Sequence, residues 1–198
     1  LGSSFKPFVY LEALENGFET YSVVVNDFVA FGKWAPKNFD GRYSYNSTLV
    51  NSLNLSLNVP AVKLLDAITV DKFKEGIGDN IKLTSEVKDL TAALGSVDST
   101  PVNVAANFSI FVNGGYIVKP NIIREIRDNQ DILIYVADIE KTKVFDSVDV
   151  SAITAMLKTV VSNGTATRAR VVDKNGRPIQ QGGKTGTTNE HRTAWFVG

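Results

Sequence analysis

The sequence predicts an α+β fold of helices and antiparallel hairpins. Three observations carry that expectation. Residues 148–162 (VDVSAITAMLKTVVS) have the spacing of an amphipathic helix and stop at Asn163-Gly164. Two β-rich runs within 121–137, IIREI and ILIYV, flank Asp128-Asn129-Gln130-Asp131, which reads as a hairpin. Strand and helix patterns do not alternate regularly along the chain, so βαβ units are not indicated.

The elements follow in order. Residues 3–16 read as a helix, with Ser3 or Ser4 as cap, Pro7 in the first turn and Gly17 as stop. Residues 18–47 show no sustained period and read as a long irregular loop. Asn58-Val59-Pro60 reads as a turn that opens a short helix, Ala61 to Ile68. A second short helix is expected from Asp71 to Glu75. Thr100-Pro101 places a cap before a proline at the first helical position, starting a helix that ends before Gly114-Gly115. Asn175-Gly176 marks a turn, and residues 179–197 read as a hairpin whose loop lies near Asn189.

Composition narrows the function classes. The chain has 198 residues, 43% of them hydrophobic, with 21 Lys+Arg against 21 Asp+Glu. This balance argues against a general nucleic-acid binder or a polybasic membrane-surface module, both of which need a basic excess. There is no cysteine, hence no disulfide, thiol nucleophile or thiolate metal site. The single histidine rules out a His-rich metal site. That residue, His191, reads as an exposed loop side chain. No stretch approaches the ~18 apolar residues of a membrane-spanning helix.

Three motifs could carry chemistry. Ser3-Ser4-Phe5-Lys6 is S-x-x-K at a helix start, and this spacing puts Ser3 and Lys6 on one face. A lysine whose pKa is lowered by burial or by a second cation can take a serine proton. Capping without catalysis is the alternative for Ser3. A second S-x-x-K, Ser85-Glu86-Val87-Lys88, reads as a solvated polar segment. Of three S-x-N triplets (Ser44-Tyr45-Asn46, Ser52-Leu53-Asn54 and Ser56-Leu57-Asn58), only the last stands directly before a proline-led transition into a helix. Lys184-Thr185-Gly186 lies within Gly182-Gly-Lys-Thr-Gly-Thr-Thr188, inside a strand pattern. Glycines there mark a bulge or close approach by a ligand, and a solvated hairpin edge is the alternative. It is not a Walker loop, because Pro178 stands where that motif needs glycine.

S-x-x-K, S-x-N and K-T-G occur in the order of the penicillin-recognising serine enzymes. The resemblance extends well beyond the three motifs. Residues 2–10 (GSSFKPFVY), 56–62 (SLNVPAV), Ala93-Leu-Gly-Ser96, Thr100-Pro101, 112–115 (VNGG), 160–165 (VVSNGT), 183–189 (GKTGTTN) and 194–198 (AWFVG) resemble the transpeptidase domain of class A, bifunctional penicillin-binding proteins. The likeness is weakest over residues 18–47, 66–90 and 121–150. Leu1 stands where the family often has proline, and Thr193 where it often has an acidic residue.

The resemblance implies a β-lactamase/transpeptidase-like fold, an antiparallel sheet flanked by helices, with residues 1–198 forming a partial domain. N-terminal strands and a C-terminal strand and helix would lie outside these residues. The 193–198 strand would then expose an apolar edge, and the piece would be marginally stable alone. The implied activity is D,D-transpeptidation of peptidoglycan. Ser3 would be the nucleophile, Lys6 its base with a pKa depressed by Lys184, Ser56 the proton relay to the leaving D-alanine, and Asn58 the holder of the peptide amide and orienter of Lys6. Lys184, Thr185 and Thr187 would bind the substrate carboxylate. The substrate would lie along the strand carrying Lys184, as an added antiparallel strand in which Gly186 also binds it, and the backbone N–H groups of Ser3 and Thr187 would form the oxyanion hole. The implied partners are stem peptides on lipid-linked glycan, with β-lactams as inhibitors and no nucleic acid. No cofactor or metal is implied. The parent protein would be extracytoplasmic, at the cell surface or in the periplasm, and membrane-anchored, with a glycosyltransferase domain. Two alternatives stand beside this reading: a hydrolase (β-lactamase or D,D-carboxypeptidase), which would need a group to activate water, and a non-catalytic penicillin-binding sensor or scaffold.

Overall fold

The structure is a computed structural model that describes residues 1–187 and 194–198. Residues 2–5 form a single 3-10 turn that runs directly into helix α1 (Lys6–Glu15). Neither serine caps this helix through its side chain. The N-cap position is Phe5, and Ser4 Oγ donates instead to Leu1 O at 2.8 Å. Every α1 residue from Lys6 to Leu14 is buried. A helix buried on all sides is a central one, enclosed by its neighbours. Aromatic rings lock it in place: Phe8 lies 5.5 Å from both Phe108 and Phe111, and Phe5 lies 5.9 Å from Phe73, centroid to centroid.

The expected loop over 18–47 contains strands at both ends. β1 (Val23–Asn26) pairs antiparallel with β2 (Tyr45–Thr48), Val23 opposite Thr48. Both strands are only four residues long. β1 is an apolar run without alternation and β2 is wholly polar at its end, so neither shows a period by itself. Their stability comes from each other, across a long excursion of chain.

α2 (Leu49–Asn54) follows at once, its start held by the Thr48 side chain accepting from Asn51 N. It was not expected from the sequence pattern. α3 (Asn58–Ile68) starts three residues before the expected helix at Ala61, so Asn58-Val59-Pro60 is its first turn rather than a preceding turn. Proline is tolerated there because first-turn amides have no intrahelical acceptor. α4 (Val70–Ile77) extends the expected Asp71–Glu75 helix at both ends.

α5 (Pro101–Ser109) begins as expected, with Thr100 Oγ1 accepting from Asn103 N at 3.2 Å. Regular helix ends at Ser109, and turns carry the chain to Gly115. β3 (Tyr116–Val118) then reaches forward to β6 (Lys141–Lys143), a three-residue pairing too short to leave a sequence signal. Between them β4 (Glu125–Arg127) and β5 (Leu133–Val136) form the expected hairpin, with a register shift at Ile126/Arg127. α6 (Ser147–Ser162) matches the expected amphipathic helix and is capped by Asp146. The Asn175-Gly176 turn is present and brings Val172 opposite Pro178.

The final hairpin is shorter than expected. β7 (Lys184–Thr187) pairs with β8 (Ala194–Val197), while the chain before it runs beside α6, with Gly183 N donating to Leu157 O. The loop expected near Asn189, together with His191 and Thr193, lies outside the described residues. Among the described residues all strand pairings are antiparallel and two-stranded.

Two glycines join these parts where it matters for function. Gly95 (φ +79°) ends the 3-10 helix Leu90–Leu94, and a Cβ there would overlap the backbone of Gly2. Gly2 N donates to Gly95 O at 3.1 Å. Gly2 (φ +59°) in turn lies so close to β7 that its Cβ would sit 2.7 Å from Thr187 O. Only glycine combines left-handed backbone with this approach. The result is that the turn carrying Ser3 is pressed between Gly95 and the K-T-G strand.

Candidate active site

Three separated segments meet at Ser56. This residue occupies the turn between α2 and α3 and has φ +56°, a left-handed conformation that non-glycine residues rarely adopt. Lys184 Nζ reaches it from β7 and donates to Ser56 Oγ at 2.8 Å and to Thr185 O at 3.1 Å. Lys6 Nζ reaches it from α1 and donates to Ser56 O at 2.6 Å, to Asn58 Oδ1 at 2.7 Å and, weakly, to Ser56 Oγ at 3.4 Å. One hydroxyl thus stands between two lysine nitrogens.

The electrostatics are unusual. Both lysines are fully buried, and among the described residues neither is paired with a carboxylate. Burial disfavours an ammonium, so both lose basicity. Lys6 is held well below the usual lysine range, first by desolvation and second by the charge of Lys184. The sequence-level expectation named Lys184 as the cause, but loss of water is the larger one. Lys184 itself is lowered from 10.5 to about 7 by burial. A lysine in that range can exchange a proton near neutral pH, which an exposed lysine cannot.

Ser3 lies in the 3-10 turn immediately before Lys6 and is partly exposed. Among the described residues no hydrogen bond joins Lys6 Nζ to Ser3; the lysine is engaged with Ser56 and Asn58 instead. Thr185 Oγ1 is 3.3 Å from Thr165 Oγ1, so the segment after α6 borders the K-T-G strand. Gly186 is buried, and a Cβ there would lie 2.6 Å from Leu1 O and 2.9 Å from Ser4 Oγ. Thr187 is exposed, with its backbone against Gly2. All the motif residues singled out in the sequence therefore belong to one neighbourhood: Ser3, Lys6, Ser56, Asn58, Lys184, Thr185, Gly186 and Thr187.

The rejected motif copies have structural work. Ser44 Oγ accepts from Asn26 Nδ2 at 3.0 Å, and Ser52 Oγ donates to Ser47 Oγ at 2.9 Å inside the protein. Ser85 Oγ accepts from Asp98 N at 2.8 Å, and Lys88 is exposed. Thr165, Asn38 and Asn26 were not singled out as site residues. Asn38 supplies hydrogen bonds to the first turn of α3, but it stands in an irregular polar stretch where no spacing rule marks it. Among the described residues no group of three or more His, Asp or Glu side chains is placed to hold a metal ion.

A buried central helix, paired antiparallel strands, and a Ser-x-Asn turn and Lys-Thr-Gly strand that converge with α1 on two buried lysines make up the fold of a penicillin-binding transpeptidase domain. The chain matches the model of the penicillin-binding protein transpeptidase domain over residues 1–198, and it belongs to that family. It is 36% identical to penicillin-binding protein 1A of Neisseria flavescens, covering 100% of this chain and 26% of that protein. Penicillin-binding protein 1A of Aquifex aeolicus is 34% identical, with 27% of its length covered. This chain therefore spans about a quarter of the length of these relatives. Among solved structures, penicillin-binding protein 1A from Haemophilus influenzae superimposes with a TM-score of 0.87 at 26% identity, over 99% of this chain and 35% of that one. The D,D-transpeptidase domain of a peptidoglycan glycosyltransferase from Eggerthella lenta shares the fold, with a TM-score of 0.81 at 20% identity over 98% of this chain and 55% of that one.

Proposed function

We propose that this chain is the catalytic part of a serine D,D-transpeptidase that cross-links peptidoglycan stem peptides and is acylated by β-lactams. The observation that carries the reading is the Ser56 hydroxyl held between two fully buried lysines, one of which, Lys6, stands about one helical turn after Ser3. Such lysines can be neutral at working pH and therefore act as bases.

In the proposed reaction Ser3 Oγ attacks the carbonyl between the last two D-alanines of a stem peptide. Its proton passes to neutral Lys6. The Ser3 O–C bond forms, the C–N bond to the terminal D-alanine breaks, and the proton travels through Ser56 to the departing amine. The amide N–H groups of Ser3 and Thr187 face the developing oxyanion. Lys184, Thr185 and Thr187 bind the terminal carboxylate, and the stem peptide lies along the edge of β7 not paired with β8. An amine from a neighbouring stem peptide then attacks the acyl carbon, and Ser3 leaves with its proton restored. In this reading the parent protein is anchored in the cytoplasmic membrane, with this domain on the extracytoplasmic side and a glycosyltransferase domain beside it; the chain spans about a quarter of the length of its relatives, which leaves room for both. No helix among the described residues is long and apolar enough to cross a membrane.

The test is to label the complete protein with a fluorescent penicillin, map the adduct by mass spectrometry and follow its lifetime. A long-lived adduct on Ser3 is expected, together with cross-linking of lipid-linked substrate. Label that survives Ser3→Ala refutes the nucleophile. Adduct lost within seconds indicates a hydrolase, and a stable adduct without cross-linking indicates a sensor.

A further inference from the structure

Asn58 can act only if its amide is aimed correctly. Its Oδ1 must face Lys6 and its Nδ2 must face elsewhere, because the two ends are chemically opposite. The segment after β1 enforces this. Asn58 Nδ2 donates to Lys37 O at 2.8 Å, which leaves Oδ1 for Lys6. The next residue, Asn38, is buried to 4% exposure. Its Oδ1 accepts from Asn58 N at 2.8 Å and from Val59 N at 3.2 Å, two of the unpaired first-turn amides of α3. Its Nδ2 donates to Asn26 Oδ1 at 2.8 Å and to Arg42 O at 2.7 Å. Asn26 is itself 1% exposed and donates to Ser44 Oγ at 3.0 Å. Asn38 thus caps α3 from outside its own chain segment; the N-cap residue Leu57 has no side chain able to do so.

We propose that Asn38, held by Asn26, is a positioning residue for the transpeptidase site: it fixes the backbone of Asn58 and, through the Asn58 carboxamide, the direction of the Lys6 amine. This inference rests on the assignment of Lys6 and Asn58 to the reaction. It gives the poorly patterned 27–44 segment a task. Every polar atom of the Asn38 side chain is used, two contacts to the catalytic helix and two to the segment that presents it. A residue acting in this way is felt in the rate of acylation, since small displacements of a base from its target are costly.

The experiment measures the second-order rate constant for acylation by a fluorescent penicillin in the complete protein, with melting temperatures recorded alongside. The variants are Asn38→Ala, Asn26→Ala, Asn58→Ala, Lys6→Ala and the double variant Asn38→Ala/Asn58→Ala. Asn38→Ala is expected to acylate about 10- to 100-fold more slowly. The double variant should be no slower than Asn58→Ala within about 2-fold, because Asn38 acts through Asn58. A merely structural role predicts instead that the two losses multiply, and that result overturns the proposal. An Asn38→Ala rate within about 2-fold of wild type also overturns it, provided Lys6→Ala and Asn58→Ala are slow. If Lys6→Ala and Asn58→Ala are themselves unimpaired, the functional reading fails and takes the positioning role with it. Should Asn38→Ala not fold, Asn26→Ala decides: a loss of about 3- to 10-fold that vanishes in the Asn58→Ala background sustains the chain of contacts, and an unchanged rate overturns it.

Discussion

The chain contains the same four-residue pattern twice, and the two copies have opposite fates. Ser3-Ser4-Phe5-Lys6 enters a helix that is buried on all sides, and its lysine loses all contact with water. Ser85-Glu86-Val87-Lys88 lies in an irregular segment, where Ser85 satisfies the Asp98 amide and Lys88 points to solvent. Spacing is identical, so spacing is not what sets the two lysines apart. The difference is desolvation: an ammonium removed from water and unpaired must give up its proton more readily, whereas an exposed one stays charged. The shifted basicity of Lys6 comes from the core the motif is folded into.

The largest test of that contrast is to remove each lysine in turn. Lys6→Ala should slow penicillin acylation by about 100- to 10,000-fold, the usual range for loss of a general base. Lys88→Ala should change it by less than about 2-fold, since nothing couples that side chain to the site. Equal effects in the two variants, read from the same labelling assay, would remove the distinction.

Next in size is the packing that holds the first copy. Gly95→Ala puts a Cβ into the backbone of Gly2, and Gly2→Ala puts one against Thr187 O. Either should lower stability by about 3 kcal/mol or more, the scale of a backbone clash at positive φ, and reduce labelling of Ser3. Gly176→Ala is the control, for it too has positive φ (+78°) but meets nothing within 4 Å. It should lose only about 1 kcal/mol and leave labelling intact. Thermal melts and labelling together separate the cases.

The pH dependence of stability gives a finer test. Lys184 titrates near 7 when folded and near 10.5 when unfolded. Between those values the unfolded chain binds more protons, so this group makes stability rise as pH increases across the window. Lys6 acts in the same direction. Glu12 opposes them at lower pH. Burial, and second the nearby Glu15 charge, raise it from 4.5 to about 7, and its Oε1 has no partner among the described residues. The folded protein then binds more protons, and stability from Glu12 falls as pH rises from 4.5 to about 7. Melting temperatures followed from about pH 7 to about pH 9.5 should climb, and Lys184→Met should flatten the climb. A variant curve parallel to wild type would show that Lys184 keeps an ordinary pKa.

The smallest effect belongs to the second copy. Asp89, next to Lys88, accepts from Thr91 N at 2.8 Å and caps the following 3-10 helix. Asp89→Ala should lower stability by about 1 kcal/mol with acylation unchanged. A strong loss of acylation at constant melting temperature would show that this region reaches the site after all.

Much of the architecture was legible in sequence where signals are local. Thr100-Pro101 announces α5, 148–162 announces α6, and Asp128–Asp131 announces the β4–β5 turn, because caps, periodicity and turn residues act within a few positions. β1, β2, β3 and β6 were not legible. Strands of three or four residues have no period to detect, and each is stabilised only by a partner far along the chain. The serine caps expected at α1 failed because Ser4 satisfies Leu1 O and Phe5 occupies the cap position.

The site divides along the same line. Sequence alone was enough to indicate the family and to name Ser3, Lys6, Ser56, Asn58 and Lys184 as candidates, since fixed motifs name residue types at fixed spacing. Tertiary structure decided what those residues experience. It buried both lysines, set Ser56 between them in a left-handed turn, and left Lys6 on Asn58 rather than on Ser3. It also recruited Asn38 and Asn26, which no motif contains. The physical reason is that a pKa depends on the water a group has lost and the charges brought near it. Those quantities exist only once distant segments have packed together.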